Sequence, residues 1–436
     1  MRLVKTFGRG KAAAYALLAV LEQRGSAGTA RLEPVAGKII ADVRRNGDKA
    51  LLKYARKFDG LQAAGTSSRK QMSTLPNTAA ALLRIPTAEM EAAWVATSAE
   101  LQAAMKTAAK NIRSFAEKQK PREWTGSPAA GVKTGQIVRP LASVGCYVPG
   151  GRYPLPSTVL MTVLPAKVAG VERIVVVSPR PAQETLAAAW LAGAQEFYRV
   201  GGAQAIAALA YGTETIAPVD KIVGPGNLYV TTAKKLVAFD CGIDMLAGPT
   251  EIVVVSETGD AAAIASDLVA QAEHDPDALA VFITSNAALA KAVAVETRRQ
   301  ARGNAIAQQA LKASGTIFAT ADVAEARAIA NRLAPEHLTV DAVSDLQWVR
   351  NAGSVFIGPH TPQTMGDYIS GPNHVLPTGR VGRVRGGLSV MDFLKVITVQ
   401  EYSAAGLEKL GPAAMLLASA EGLKGHAESV RIRLRS

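Results

Sequence analysis

Two short segments combine residue types that could hold a metal ion or move a proton. Gln271 and His274 are three residues apart near the end of a predicted helix, so both side chains could reach one metal ion. In Ala334-Pro-Glu-His-Leu338 the proline ends a helix and presents Glu336 beside His337, which could act as paired acid and base. Taken alone, a Gln/His pair is more often a cap or a core hydrogen bond, and an isolated Glu-His pair is usually surface.

Two further segments carry carboxylates and imidazoles. Asp367 and His374 lie in a nine-residue segment with two glycines (366–374), a composition that favours a ligand-lining loop. Glu421 and His426 lie five residues apart in the C-terminal tail, roughly 140° apart on an ideal helix. Both could face one site only if an intervening glycine bends the chain.

Two glycine-rich segments could approach a phosphate group. Gly145-Cys-Tyr-Val-Pro-Gly-Gly151 is one, and Gly224-Pro-Gly-Asn227 is the other. The second follows a predicted strand and opens a predicted helix, where free backbone N–H groups can bind an anion. Neither is the G-x-G-x-x-G fingerprint, so these loops alone do not predict NAD binding.

From about residue 137, short β-branched runs alternate with alanine-rich helical stretches. This alternation predicts an α/β protein with parallel sheets covered by helices on both faces. The predicted strands are Ile174–Val177, Lys221–Val223, Ile252–Val255, Val281–Thr284, Thr316–Ala319 and Ser354–Ile357. The predicted helices are 182–193, 203–211, 228–238, 260–273, 286–301 and 322–333.

The two ends of the chain have a helical pattern. Residues 1–23 predict one amphipathic helix ending at Gly25, and residues 35–60 predict a helical hairpin with a turn at Asn46-Gly47-Asp48. A surface loop is expected over 61–80 and another helix near 88–119. After Lys395 we expect no more strands, and 401–436 has a helical pattern.

Composition restricts the class of protein. The chain has 436 residues, of which 48% are apolar, and this length suggests two or more packed layers or domains. The basic residues that give the net charge of +13 are scattered along the chain, and aromatic residues make up only 5%, so nucleic-acid binding is not indicated. The two cysteines have no CxxC spacing, which fits a reducing cytoplasm. No apolar stretch reaches the roughly 18 residues of a membrane-spanning helix.

The chain resembles the histidinol dehydrogenase family from about residue 30 to its end. The stretches that carry the resemblance are long and follow one order. They are GCYVPGG (145–151), VGGAQAIAALAYGTE (200–214), DKIVGPGN (220–227), AGPTE (247–251), QAEHDPDA (271–278), APEHL (334–338), GDYISGPNHVLPT (366–378) and GLSVMDFLK (387–395).

The resemblance implies a reaction and its cofactors. Members of the family use one zinc ion per subunit and two NAD+ in succession to oxidise L-histidinol through the aldehyde to L-histidine. It implies that the zinc ligands are Gln271, His274, Asp367 and His426, a set that suits Zn2+. It further implies that His337 removes the alcohol proton and that Glu336 activates the water that attacks the aldehyde.

The resemblance also assigns binding residues. Those implied for the substrate are Thr250, Gln271, His274, His337, Asp367, His374, Glu421 and His426. Those implied for NAD+ are Tyr147, Gln204 and Asn227.

The architecture implied by the resemblance is two Rossmann-like domains, arranged as in aldehyde dehydrogenases. Residues 30–146 and 250–395 would form the larger domain, and 147–249 would be inserted into it. Helical extensions would occupy 1–29 and 396–436. The family is a homodimer in which this tail completes the neighbour's active site.

Three departures from the family pattern bear on the substrate. Thr250 stands where serine is usual, which keeps the hydroxyl group and adds a methyl. Arg152 and Tyr153 replace small residues, and Asp275 replaces glycine. Similar features occur in relatives that oxidise other primary alcohols, such as a sulfonated diol, and this alternative stays open. Glu421, with His374, favours a cationic substrate, because a carboxylate repels an anion.

Overall fold

The computed structural model describes residues 1–24, 27–61, 78–150 and 153–435. Nearly all of the loop predicted over 61–80, and Arg152, lie outside the described residues. The helices are α1 (Lys11–Glu22), α2 (Ala27–Phe58), α3 (Ala79–Leu83), α4 (Thr87–Val95), α5 (Ala99–Gln119), α6 (Pro156–Ala169), α7 (Gln183–Ala192), α8 (Gly202–Tyr211), α9 (Leu228–Val237), α10 (Ala261–Ala272), α11 (Ala287–Gln300), α12 (Ala305–Ala313), α13 (Val323–Leu333), α14 (Gln363–Tyr368), α15 (Ala404–Ala420) and α16 (Lys424–Arg435).

The strands form three sheets. They are β1 (Arg2–Lys5), β2 (Trp124–Ala129), β3 (Val132–Pro140), β4 (Ser143–Tyr147), β5 (Arg173–Val177), β6 (Glu196–Tyr198), β7 (Lys221–Val223), β8 (Gly242–Ile243), β9 (Glu251–Val255), β10 (Leu279–Thr284), β11 (Thr316–Ala319), β12 (His337–Val340), β13 (Ser354–Ile357) and β14 (Leu394–Tyr402). The α/β class and all six predicted strands are confirmed.

The first sheet is parallel and has the order β1-β11-β10-β9-β12-β13. Its central strands are buried on both faces: Ile252 and Val254 pack with α10, whereas Val253 and Val255 pack with α1 and α13. This explains why β9 appears in the sequence as an unbroken β-branched run.

The second sheet is also parallel and has the order β6-β5-β4-β7-β8. Helices α4 to α7 cover one face and α2, α8 and α9 the other. We expected 30–146 to join the domain of 250–395, but its helices α2, α4 and α5 pack on this second sheet. The sheet also begins with β4 at Ser143, a few residues before the expected boundary at 147.

The third sheet is antiparallel, with the order β14-β3-β2, and α15 packs beside β14. The expectation that strands stop after Lys395 was therefore wrong. Residues 394–402 contain a Val-Ile-Thr-Val run that suits a strand. However, β14 is largely exposed and pairs with β3, which lies far earlier in the chain, so neither burial nor a nearby partner marks it.

Three details of the helical predictions also changed. The N-terminus is not one helix, because residues 2–5 pair with β11 as an edge strand before α1 begins. The helix predicted near 88–119 is two helices, and the side chain of Ser98 caps the second. The turn predicted at Gly47 is confirmed as a break within α2, where φ is 49°. Among the described residues, no helix has the length and apolar character needed to cross a membrane.

Candidate active site

Glu336 and His337 are presented where a helix turns directly into a strand. Helix α13 ends at Leu333, Ala334 adopts a left-handed conformation with φ of 46°, and β12 begins at His337. This confirms that the helix ends before the Glu-His pair, as Pro335 predicted. Both side chains are buried, with exposures of 7% for Glu336 and 3% for His337.

The Glu336 carboxylate is held by two donors. The Thr250 hydroxyl donates to Oε2 at 2.5 Å, and the backbone N–H of Glu251 donates to the same oxygen at 2.8 Å. Burial raises the pKa of Glu336 to about 7, although His337 and these two donors oppose that rise. A carboxyl group with a pKa near neutrality can exchange protons at physiological pH, which is the property required of a general base.

The His337 ring has two different environments. Its Nδ1 lies 3.0 Å from the backbone oxygen of Glu251, which can only accept, so Nδ1 carries the hydrogen. Nε2 is buried without a hydrogen-bond partner among the described residues and lies 3.5 Å from Asp367 Oδ1. Burial alone would lower the pKa of His337, but the Glu336 and Asp367 carboxylates outweigh it and raise the pKa to about 9.

Three of the four expected zinc ligands are close to this pair. Gln271, in the last turn of α10, donates through Nε2 to the Thr250 hydroxyl, and its Oε1 is buried with no partner. Asp367 lies on α14, and His274 is exposed just beyond α10. Burial opposes ionisation of Asp367, but its pKa is lowered because His337, His374 and His274 are nearby.

This set of donors fits a metal ion but is incomplete within one chain. An unpartnered amide oxygen, a carboxylate and an imidazole are ligands that zinc accepts. In the described part of the chain, however, no three His, Cys, Asp or Glu side chains are close enough together to hold an ion.

Glu421 and His426 are not brought to this cluster. Glu421 follows α15, Gly422 bends the chain with φ of 77°, and His426 lies on α16. The bend expected at a glycine is therefore present. Both side chains are exposed and make no hydrogen bond or ion pair with any described residue.

His374 is placed beside Asp367 but is fully occupied by the protein itself. Its Nδ1 lies 2.8 Å from the backbone oxygen of Asp367, and its Nε2 lies 3.1 Å from the Thr158 hydroxyl. Burial lowers the pKa of His374, which favours a neutral ring. In this arrangement His374 positions the Asp367 backbone; the expected contact with substrate stays a prediction.

The residues expected to contact NAD+ gather at the carboxyl edge of the second sheet. The chain leaves β4 towards β5 on one side and returns to β7 on the other, so the switch point lies between β4 and β7. Tyr147 ends β4, and Asn227 follows β7. Parallel sheets bind ligands in this kind of crevice. Asn227 Oδ1 caps α9 by accepting from two backbone N–H groups, at 3.0 and 3.2 Å.

Tyr147 and Gln204 lie inside the protein behind this crevice. The Tyr147 hydroxyl accepts from the Gly202 N–H at 3.1 Å, and burial raises its pKa to about 12. Gln204 donates to Asp59 Oδ2 at 3.1 Å, and the same oxygen accepts from the Gly201 N–H at 3.0 Å. Both side chains thus shape the backbone at the start of α8. No motif or spacing had pointed to Asp59.

A cavity of about 890 Å³ lies between α9 and the start of β9. Its wall includes Leu228 in the first turn of α9, Gly248 just before β9, and Gly379 from the loop after His374. Glu251, the first residue of β9, and Arg24 also line it. Its volume is in the range of small-molecule pockets. Glu336 and His337 do not line it, so it lies beside this pair rather than around it.

Sequence reasoning missed Glu251 and Arg24, which form an ion pair next to Glu336 and His337. Glu251 was part of the AGPTE motif but had no role, and Arg24 precedes the stretch that carries the resemblance. The Arg24 guanidinium contacts both carboxylate oxygens of Glu251, at 2.6 and 2.8 Å. The one available signal was an acidic residue at the start of a strand predicted to be buried.

Comparisons with known proteins show similarity over nearly the whole chain. The family model described as histidinol dehydrogenase matches residues 22–434. The chain is 43% identical over 428 residues to a histidinol dehydrogenase of Geobacter sulfurreducens, covering 96% of each chain. It is 46% identical over 414 residues to that of Cereibacter sphaeroides, covering 92% of each. The crystal structure of histidinol dehydrogenase from Elizabethkingia anophelis superimposes with a TM-score of 0.90 at 32% identity, over 100% of this chain and 98% of that one.

Proposed function

The chain belongs to the histidinol dehydrogenase family of oxidoreductases, and on that premise we propose that it oxidises L-histidinol through L-histidinaldehyde to L-histidine, with zinc bound and two NAD+ consumed. These would be the last steps of histidine biosynthesis. The observation that carries the proposal is the buried Glu336–His337 pair beside the oxygen ligands Gln271 and Asp367.

His337 is suited to act as the base in both oxidations. With Nδ1–H held by the Glu251 carbonyl, the neutral ring presents the Nε2 lone pair, which can accept the alcohol proton as hydride leaves to NAD+. Because Asp367 is among the proposed zinc ligands, its charge would be balanced in the loaded enzyme. The zinc charge would then offset that of Asp367, one of the two carboxylates that raise the pKa of His337. The neutral form of the His337 ring, which is the base, would be favoured.

Glu336 is suited to activate water in the second oxidation. As a carboxylate it can take a proton from the water that attacks the aldehyde, and Thr250 and the Glu251 N–H hold it in place. Above a pKa of about 7 the carboxylate form dominates. The aldehyde step should therefore accelerate as pH rises through neutrality.

Zinc would be held by Gln271, His274, Asp367 and His426, and when bound it polarises the substrate oxygen as a Lewis acid. The unpartnered Gln271 Oε1 supports this assignment, since a buried acceptor normally has a donor or a metal ion. Thr250 fixes the orientation of this amide by accepting from its Nε2, which leaves the oxygen for the metal.

We propose a homodimer in which each tail completes the other subunit's site. His426 and Glu421 are exposed, and neither makes a hydrogen bond or ion pair with the cluster of proposed zinc ligands. The same tail exposes large apolar side chains, with Leu416 at 73% and Leu417 at 67%. An exposed apolar surface of this kind is typical of a protein interface. A substrate-binding Glu421 from the partner would pair with the amine of L-histidinol.

NAD+ is proposed to bind at the switch point of the second sheet, against Tyr147, Gln204 and Asn227. The support is the crevice between β4 and β7, with α9 opening there. A cytoplasmic location is proposed as well, since Cys146 and Cys241 are free thiols.

A substrate panel tests this function. Zinc-loaded protein at saturating NAD+ should oxidise L-histidinol far faster than a sulfonated diol such as dihydroxypropanesulfonate. The reverse order would show that the chain belongs to the relatives that use other alcohols.

A further inference from the structure

Both catalytic side chains are held by the main chain of a single residue, Glu251. Its N–H donates to Glu336 Oε2 at 2.8 Å, and its carbonyl oxygen accepts from His337 Nδ1 at 3.0 Å. Glu251 is the first residue of β9, and β12 begins opposite Ile252. On the side of β9 that faces β12, the N–H and carbonyl groups of Glu251 therefore bond to the Glu336 and His337 side chains instead of to the backbone of a neighbouring strand.

The side chain of Glu251 fixes where that main chain lies. Its carboxylate is 3% exposed and accepts from the Gly379 N–H at 2.8 Å and from the Glu336 N–H at 3.3 Å. Arg24 supplies the balancing charge through a two-pronged contact at 2.6 and 2.8 Å. A planar guanidinium matches a carboxylate in this geometry, whereas an ammonium group does not.

Arg24 also ties this carboxylate to two helix ends. Its Nη1 donates to the Leu21 carbonyl at the end of α1, and its Nη2 donates to the Leu333 carbonyl at the end of α13, both at 2.7 Å. The turn that delivers Glu336 and His337 starts directly after Leu333. Arg24 thus connects the start of β9 with the start of the catalytic turn.

We propose that Arg24 and Glu251 are positioning residues for catalysis, which set the direction of the Glu336 carboxylate and the tautomer of His337. The inference rests on the proposed function for its kinetic test. This proposal gives the N-terminal segment, which contains Arg24, a role in catalysis in addition to the packing of α1 against α13. Neither residue is among those expected to bind the substrate, zinc or NAD+, although both line the cavity beside β9.

The chain offers a matched control in a second two-pronged arginine–glutamate pair. Arg332 donates to both oxygens of Glu22, at 2.9 and 3.0 Å, and likewise joins α13 to α1. Its side chain makes no hydrogen bond to Glu251, Glu336 or His337 in the described part of the chain. Arg332→Ala should therefore remove an ion pair between the same two helices without disturbing Glu336 and His337.

The test compares steady-state kinetics of Arg24→Ala and Arg332→Ala with L-histidinol. We expect Arg24→Ala to lower kcat about 100-fold, as misplacement of a catalytic group by roughly 1 Å can do. KM should change by no more than about threefold, since uniform binding is untouched. Added guanidinium should restore part of kcat, and methylammonium should not. An unchanged kcat, a loss equal to that of Arg332→Ala, or no response to guanidinium would overturn the proposal.

Arg24→Lys covers the case in which Arg24→Ala does not fold. It retains the charge but not the two-pronged contact, so kcat should fall about tenfold with KM nearly unchanged. A wild-type kcat in Arg24→Lys, with Arg24→Ala unfolded, would mean that only the buried charge matters and would overturn the positioning role.

A spectroscopic readout separates this inference from the proposed function. The chain has five histidines, so histidine labelled with 15N gives a small set of ring signals. The His337 Nδ1–H signal, identified from its loss in His337→Asn, should shift or vanish in Arg24→Ala but persist in Arg332→Ala. If the parent protein does not oxidise L-histidinol while this pattern holds, the proposed function is wrong, but the positioning of His337 by Arg24 and Glu251 is supported. If the parent is active and the signal persists in Arg24→Ala, the positioning role is wrong.

Discussion

Thr250→Val should uncouple Gln271, the proposed metal ligand, from Glu336, the proposed general base. The Thr250 hydroxyl accepts from Gln271 Nε2 and donates to Glu336 Oε2 at 2.5 Å, so one oxygen serves both. Valine has a similar size but no hydroxyl. Glu336 would keep one of its two donors, and the Gln271 amide would lose its acceptor.

The size of the effect follows from the charge on Glu336. A hydrogen bond to a charged group contributes about 1.5–3 kcal/mol, and roughly 1.4 kcal/mol corresponds to a factor of ten. We therefore expect kcat for aldehyde oxidation to fall by about 10- to 100-fold. Because the Thr250 donor holds down the pKa of Glu336, its loss raises that pKa further. The rising limb of the pH–rate profile should then move to higher pH.

The assay is NADH formation from L-histidinaldehyde across a pH series, together with the zinc content of each variant. Thr250→Ser is the control, because it keeps the hydroxyl and should leave rate and pH profile close to those of the parent. Zinc affinity of Thr250→Val should fall by about 10- to 100-fold, as when a residue that orients a ligand is removed. Parental rate, pH profile and zinc content in Thr250→Val would refute the coupling.

The remaining predictions concern the catalytic pair and the tail. His337→Asn should abolish oxidation of alcohol and aldehyde alike, whereas Glu336→Gln should slow the aldehyde step more than the alcohol step. NADH formation, measured separately from each substrate, checks this. Equal losses at both steps in Glu336→Gln would contradict the roles assigned. His426→Ala and His337→Asn should each be inactive alone, yet a mixture refolded together should regain activity, because a mixed dimer contains one site with both histidines intact. A mixture as inactive as its components would contradict a site shared between subunits.

Much of the fold could be predicted because the parallel strands are buried on both faces. Such strands appear as short β-branched runs, as at Ile252–Val255 and Thr316–Ala319. β12 was missed because its first residue is His337, and a Glu-His pair indicates surface or chemistry rather than a strand. β14 was missed because it is exposed and its partner is distant in sequence.

The position of the site could not be predicted from the rule for parallel sheets. That rule places ligands at the carboxyl ends of strands, and Asn227, a proposed NAD+ contact, lies at that end of the second sheet. In the first sheet, however, Glu251 and His337 are the first residues of their strands, and Gln271 is in the last turn of its helix. The site therefore lies at the amino edge. The main chain of Glu251 holds Glu336 and His337, but this role can be recognised only once the pairing of β9 with β12 is known.

The most direct measurement is the number of NADH molecules formed per L-histidinol consumed, followed to completion with zinc-loaded protein. Two NADH per L-histidinol, with L-histidine as the product, is the result that the account predicts. One NADH with release of the aldehyde would contradict the double oxidation, and no turnover of L-histidinol would contradict the proposed substrate.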